Sequence, residues 1–213
     1  MSDHMSDHTS DHMTTPHPAF SAEASALLFD EARTHSAWQA REVDDSLLVA
    51  LYERLRVAPT AMNCQPLRVH FVRSPEAKER LKGALSAGNI DKTMSAPVTA
   101  ILAFDAQFHA HLPTLFPHWE GAQAHVEGMS EEARLKMAEH SATLQAGYFI
   151  LAARSFGLDC GPMGGFDAAK VDELFFEGRS ERAFLLVNLG YGEPSKLHPR
   201  APRLSFEQAC ALL

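Results

Sequence analysis

Apolar positions along the chain recur with helical spacing in some stretches and alternate in others. From Ala22 to about Thr34, Leu27, Leu28 and Glu31 fall on successive helical turns. Asp44 or Asp45 is placed to cap a second helix over 44–57, where Leu47, Leu48, Leu51, Tyr52 and Leu55 form one stripe. Residues 67–73 predict a strand, with Val69 and Phe71 alternating with His70 and Val72. Ser74-Pro75-Glu76 starts a helix that runs to about Leu85, and Pro97 opens a β-branched run to Ala103 that reads as a buried strand. Ser130-Glu131-Glu132 starts the longest helix, which stops at Gly157. Its centre, Leu144 to Ala153, is apolar on nearly every face, which predicts burial on all sides. A strand over 157–160, a helix over 167–176, a strand over 183–190 and a short terminal helix follow. Segment 105–129 shows no period and is expected to be irregular, either a substrate-covering lid or a structural excursion. Helices and strands alternate without a repeat, so the pattern predicts an α+β sandwich rather than a regular βαβ array.

Composition narrows the function class. With 213 residues, 46% apolar and 22% charged, the chain suits one globular domain over 19–213. Residues 1–18, which repeat Ser-Asp-His at 2–4, 6–8 and 10–12, are expected to be a disordered polar tail. A net charge of −8 without a basic cluster argues against nucleic-acid binding. Apolar runs such as 97–104 and 183–189 are too short to span a bilayer, and no secretory pattern opens the chain, so a soluble cytoplasmic protein is expected. Three separated cysteines suggest neither a disulfide framework nor a zinc site. Cys64 has no base near it in sequence and reads as a buried structural thiol; His109 and His111 are expected in solvent rather than on a metal.

Candidate chemistry lies in five segments. Ala58 to Pro66, between a helix and a strand, is a proline-bounded loop offering Thr60, Asn63 and Gln65 as mixed donors and acceptors. Arg33-Thr34-His35-Ser36 combines a guanidinium with hydroxyls and an imidazole, a set suited to phosphate. Asn89 and Lys92, three apart, share a face if their turn is helical. Gly161-Pro162-Met163-Gly164-Gly165 lets another group approach the backbone closely. Pro199-Arg200-Ala201-Pro202-Arg203 sets two arginines in a stiffened segment. No serine-hydrolase elbow, zinc-protease helix or ATPase phosphate loop is present in the sequence.

In order and spacing, these segments resemble the FMN-dependent nitroreductase family over about residues 22–213. The likeness is carried by Ala32-Arg33-Thr34-His35, Pro59-Thr60-Ala61-Met62-Asn63, Leu85-Ser86-Ala87-Gly88-Asn89, Gly157 to Met163 and Pro202-Arg203-Leu204-Ser205-Phe206. Within the family the chain is similar to the malonic semialdehyde reductase subfamily. The resemblance implies an α/β/α sandwich with a mostly antiparallel sheet, forming an intertwined homodimer with FMN at its interface and NADH or NADPH as hydride donor. It assigns Arg33, Thr34, His35, Arg200 and Arg203 to the phosphate side, and Asn89 and Lys92 to the ribityl and pyrimidine side. Pro162, Met163, Gly164 and Gly165 would cover the reactive edge. Pro59, Thr60 and Asn63 would reach the flavin from the partner subunit. No catalytic side chain and no metal is implied. Ala32 and Ser36 stand where many members have basic residues, Gly164 where several have Glu, and Leu67 where many have Trp. The implied activity is reduction of malonic semialdehyde, with a broad nitro or quinone reductase and a non-catalytic flavin carrier as the other readings.

Overall fold

The structure, a computed structural model, describes residues 20–213; the Ser-Asp-His repeats and the expected tail lie outside the described residues. Helix α1 (Ala22–Ser25) begins where the Ser21 hydroxyl accepts the Ala24 N–H at 3.2 Å, and it widens into a π-helical turn over Ala26–Asp30. The helix expected to reach Thr34 therefore stops early. Sheet-edge pairing wins there: Thr34 bridges to Cys160, and the His35 N–H donates to the Cys160 carbonyl at 3.0 Å.

Helix α2 (Asp45–Leu55) buries Leu48, Leu51 and Leu55 along its predicted stripe. Strand β1 (Leu67–Val72) leads to α3 (Pro75–Lys82), capped by the Ser74 hydroxyl, and then to α4 (Ile90–Met94). Strand β2 (Val98–Asp105) is buried throughout. The segment expected to be irregular is folded, with a 3-10 turn at Phe108–His111, α5 (Leu112–Leu115) and α6 (Ala122–Glu127). Phe108, Leu112, Ala122 and Val126 join the core, and His109 is buried rather than in solvent. Elements of four to six residues are too short to display a period in sequence.

Helix α7 (Glu131–Ser155) starts at Ser130, whose hydroxyl accepts the Ala133 N–H, and ends before Gly157, which sits at φ +75°. Strand β3 (Asp159–Met163) lies further along the chain than expected and takes Pro162 and Met163 into the sheet, opposite Val187 and Leu186. Proline is tolerated because β3 is an edge strand. Only Gly164 to Asp167 remains as connection to α8 (Ala168–Phe175), which Asp167 caps. Strand β4 (Glu181–Gly190) and the terminal α9 (Phe206–Ala209) complete the chain.

The sheet order is β1-β2-β4-β3, every neighbour antiparallel, so the α+β architecture expected from the pattern is what forms. Alternate residues of β2 serve two cores. Val98, Ala100 and Leu102 pack toward α2 and α7, whereas Ile101 and Ala103 pack with Leu81 of α3 and Val171 of α8. Each fully buried leucine in these two cores contributes about 2 kcal/mol.

One expectation about α7 fails. Leu144 and Tyr148 are 50% and 43% exposed, although their stretch is apolar all round. Ala138, Ala142, Ala146, Phe149 and Ala153 form the buried stripe, so the larger neighbours on the opposite face point outward. With Val49, Tyr52 and Val57 of the α2 region, they leave an apolar face uncovered in a single chain.

Candidate functional site

Four arginines converge on one cavity of about 260 Å³, lined by Arg33, Thr34, Arg154, Pro199, Arg200 and Arg203 among others. The segment that pairs with Cys160 carries Arg33 and Thr34 there, and the segment beyond β4 returns to bring Arg200 and Arg203. Arg33 donates to the His198 carbonyl, and Arg200 to the carbonyls of Asp30 (2.7 Å) and Ala32 (3.3 Å). These bonds join residues 30–34 to 198–200, distant in sequence, into a single wall. His35 is absent from the lining: its ring is buried beside Gly192 and Trp38, with Nε2 3.5 Å from Asp159.

A second group of expected residues meets at α4 and the β3–α8 connection. Asn89 donates its side-chain N–H to the Gly165 carbonyl at 2.7 Å, and the Ser86 N–H donates to the same oxygen at 3.1 Å. A Cβ on Gly165 would lie 2.6 Å from Asn89 Nδ2, whereas one on Gly164 would meet nothing within 4 Å. The Lys92 carbonyl accepts from Trp38 Nε1 at 2.9 Å and from Asn188 Nδ2 at 3.1 Å. The half-buried Lys92 ammonium itself has no hydrogen bond or ion pair among the described residues. Residues 33–38 thus run from the arginine cavity to α4, and the two groups lie along one edge of the sheet. Pro162 and Met163 border this region as the last two residues of β3, and Met163 Sδ accepts from Thr93 Oγ1 at 3.6 Å.

Pro59, Thr60 and Asn63 stand apart. Among the described residues no hydrogen bond joins their loop to Arg33, Asn89 or Gly165. The loop is held internally: the Thr60 hydroxyl accepts the Gln65 N–H at 3.2 Å, and Gln65 donates to Asn63 Oδ1 at 2.9 Å. Met62, Asn63 and Gln65 have φ of +53°, +49° and +40°, a concentration of left-handed backbone that favours glycine elsewhere. Beside the loop a cavity of about 220 Å³ is lined by Arg56, Gln65, Arg68, His111 and Leu115. Arg68 is paired with Asp105 at 2.6 Å, and Arg56 with the exposed Glu53 at 3.0 Å. The Ser180 hydroxyl, the Gln107 N–H and the Arg68 charge together hold the Asp105 carboxyl below its ordinary value against the opposing cost of burial, which is the largest single influence on it.

Residues 30–191 match the model of the nitroreductase family. The chain belongs to the nitroreductase family. A relative from Leptothrix cholodnii, provisionally named an NADH dehydrogenase/NAD(P)H nitroreductase, is 53% identical over 87% of this chain and 94% of its own. One from Stutzerimonas stutzeri with the same provisional name is 51% identical over 92% and 99%. Among solved structures, a provisionally named nitroreductase from Bacillus subtilis superposes with a TM-score of 0.82 at 22% identity, covering 90% of this chain and 99% of its own. Another from Exiguobacterium sibiricum, solved in complex with FMN, gives 0.80 at 16% identity, covering 91% and 98%. At those identities the structures speak to the shared fold.

Two residues of this nitroreductase-family chain gave no sequence signal. Arg154, in the last turn of α7, reads as an ordinary helix-terminal arginine, yet it lines the arginine cavity. Lys78 occupies a polar-looking position of α3 but is 4% exposed, donating to the Thr93 carbonyl at 2.8 Å and to Thr99 Oγ1 at 2.6 Å. Thr99 donates on to Asn188 Oδ1 at 2.7 Å, which completes a buried polar chain beneath α4. Burial without a carboxylate partner pushes the Lys78 ammonium down to about 8. A lysine at helical position i on a surface-patterned helix carries no mark that distinguishes it from a solvated one.

Proposed function

We propose that the chain is an FMN-dependent NAD(P)H oxidoreductase that works as a homodimer and reduces malonic semialdehyde to 3-hydroxypropionate in pyrimidine breakdown. The observation that carries the reading is the arginine cavity joined through residues 33–38 to the Asn89–Gly165 pair. The residues present fit FMN. A phosphate monoester needs positive charge and N–H or O–H donors, which Arg33, Thr34, Arg200 and Arg203 offer without a carboxylate competitor among their ion pairs. When bound, FMN supplies hydride transfer between nicotinamide and acceptor. In the proposed ping-pong order, nicotinamide leaves before the acceptor enters.

The chain's residues then have separate tasks. Lys92, its backbone fixed by Trp38 and Asn188, presents positive charge on the pyrimidine side. Asn89 holds the Gly165 carbonyl, which leaves the open space over Gly164 for the reactive edge. Pro59, Thr60 and Asn63 would serve the second copy's site, in keeping with their separation from the other segments in one chain. The exposed apolar face formed by Val49, Tyr52, Leu144 and Tyr148 supports the dimer. For a substrate carboxylate, Arg56 is the more available cation in the cavity beside the loop, because its pair with Glu53 is exposed to solvent whereas Arg68 is held by the mostly buried Asp105.

The test is an acceptor panel on FMN-loaded protein: malonic semialdehyde, nitrofurazone and quinones, with NADH and NADPH. Preference for the semialdehyde supports the reading. A broad nitro or quinone reductase is the second reading, favoured by the names of the relatives, and equal turnover across the panel selects it. A yellow protein that neither nicotinamide bleaches would instead be a flavin carrier, and a chain that binds no flavin would overturn all three.

A further inference from the structure

Among the described residues, every hydrogen bond that the four cavity arginines make runs to a main-chain carbonyl. Arg33 uses His198, Arg200 uses Asp30 and Ala32, Arg203 uses Ala201 and Pro202, and Arg154 uses Leu28 at 3.1 Å. Among the described residues none of the four forms an ion pair with a carboxylate. Each guanidinium carries five N–H donors, so donors remain on all of them. Four like charges around about 260 Å³ repel one another unless an anion enters.

Arg154 differs from the other three. Arg200 and Arg203 extend from the exposed stretch after β4, and Arg33 from the loop beyond α1. Arg154 stands on α7, a helix of 25 residues, and its Nε is buried with no hydrogen-bond partner. The Nε is closed to solvent, so it is the remaining terminal N–H groups of Arg154 that reach the cavity, where an oxyanion would meet both them and the charge. No neighbour supplies that anion. Cys160 feels the Arg154 charge, yet burial pushes its thiol up to about 12, so it stays neutral. Asp159 is engaged by His35 and accepts the Gly192 N–H at 2.8 Å.

We propose that Arg154 is a phosphate-recognition residue: a preorganised fourth guanidinium that binds the phosphate monoester of the cofactor. The inference rests on the flavin reading above. It predicts selectivity for FMN over riboflavin, which share the ring system and ribityl chain and differ in the phosphate.

Flavin fluorescence titrations of the full chain, the wild type against Arg154→Gln and Arg154→Lys, decide it. Losing one charge-assisted contact should weaken FMN binding by about 10- to 100-fold in Arg154→Gln, with riboflavin changed by less than about twofold. Arg154→Lys keeps the charge but not the fork and should fall between the two. Unchanged FMN affinity, or equal losses for both flavins, would overturn the proposal, since a structural role at Leu28 would act on the two alike. If Arg154→Gln does not fold, Arg154→Lys carries the test, and FMN affinity equal to the wild type's overturns the proposal. A wild type that binds FMN leaves the flavin reading standing even when the Arg154 variants refute this one. A wild type that binds neither flavin refutes both.

Discussion

The side chain of Asn63 donates to the main-chain carbonyl of Leu115 at 2.8 Å, while its own backbone sits at φ +49°. That bond ties the left-handed loop before β1 to α5, within the segment whose sequence shows no period. Loop and segment therefore behave as one unit, and the 220 Å³ cavity lies between them.

Asparagine at 63 answers two demands, and substitution separates them. Asn63→Gly keeps the left-handed backbone and loses the side-chain bonds to Leu115 and Gln65, and should cost about 1 kcal/mol of stability. Asn63→Ala loses the same bonds but keeps a Cβ in left-handed backbone, and should be about 1 kcal/mol less stable than Asn63→Gly. Urea unfolding of both variants gives the comparison, and equal losses would remove the backbone argument.

The glycines at 164 and 165 should both resist substitution, for different reasons. Alanine at 164 meets nothing within 4 Å in the chain, but its methyl enters the space left for the flavin's reactive edge, so FMN should bind about tenfold more weakly while the fold is unchanged. Alanine at 165 pushes aside the Asn89 amide, the end of a flexible side chain. The fold should survive, but FMN should bind about tenfold more weakly, as expected for one displaced hydrogen bond. Fluorescence titration measures both, with circular dichroism checking the fold.

Lys78 makes stability depend on pH. Its ammonium is held at about 8 in the folded chain by burial, against an ordinary value of 10.5. Between those values the unfolded chain binds more protons, so stability rises with pH across that window. The wild type should gain on Lys78→Met by on the order of 3 kcal/mol from neutral pH to above 10.5. Denaturant midpoints of the pair across that range test the sign, and a constant difference between the two would contradict it.

Thiol reactivity should divide sharply. Cys64 and Cys160 are fully buried, and burial raises both thiols, that of Cys160 to about 12; Cys210 is exposed. Iodoacetamide should label Cys210 alone in the native chain and all three cysteines after denaturation. Mass spectrometry of the adducts reads the count. Rapid native labelling of Cys64 would mean that the loop around it opens.

The exposed face of α7 should matter only between copies. Leu144→Glu combined with Tyr148→Glu adds charge to side chains that are half exposed in a single chain, so the monomer fold should persist. If that face joins two copies, sedimentation should show the dimer lost. An unchanged mass would place the interface elsewhere.

What was legible in the sequence were the elements long enough to show a period or carrying their own punctuation. Ser74 before Pro75, Ser130 before Glu131 and Gly157 after α7 act through local hydrogen bonds and backbone sterics, and their helices formed where expected. The helix expected up to Thr34 ended early because its last residues found Cys160, distant in sequence, as a pairing partner. Likewise Pro162 and Met163, read as loop, joined β3 because β4 lies beside them.

The sequence by itself determined which residue types were available to a phosphate and a flat ring, and in which order they occur. Tertiary structure decided which of them meet. It set Arg33, Arg200 and Arg203 around one cavity, kept His35 out of it, and added Arg154, a residue that carried no signal. It also decided that Leu144 faces outward and Lys78 inward. The physical reason is common to all of these. Capping and periodicity are local and can be read along the chain, whereas burial and charge convergence depend on which distant surfaces pack together.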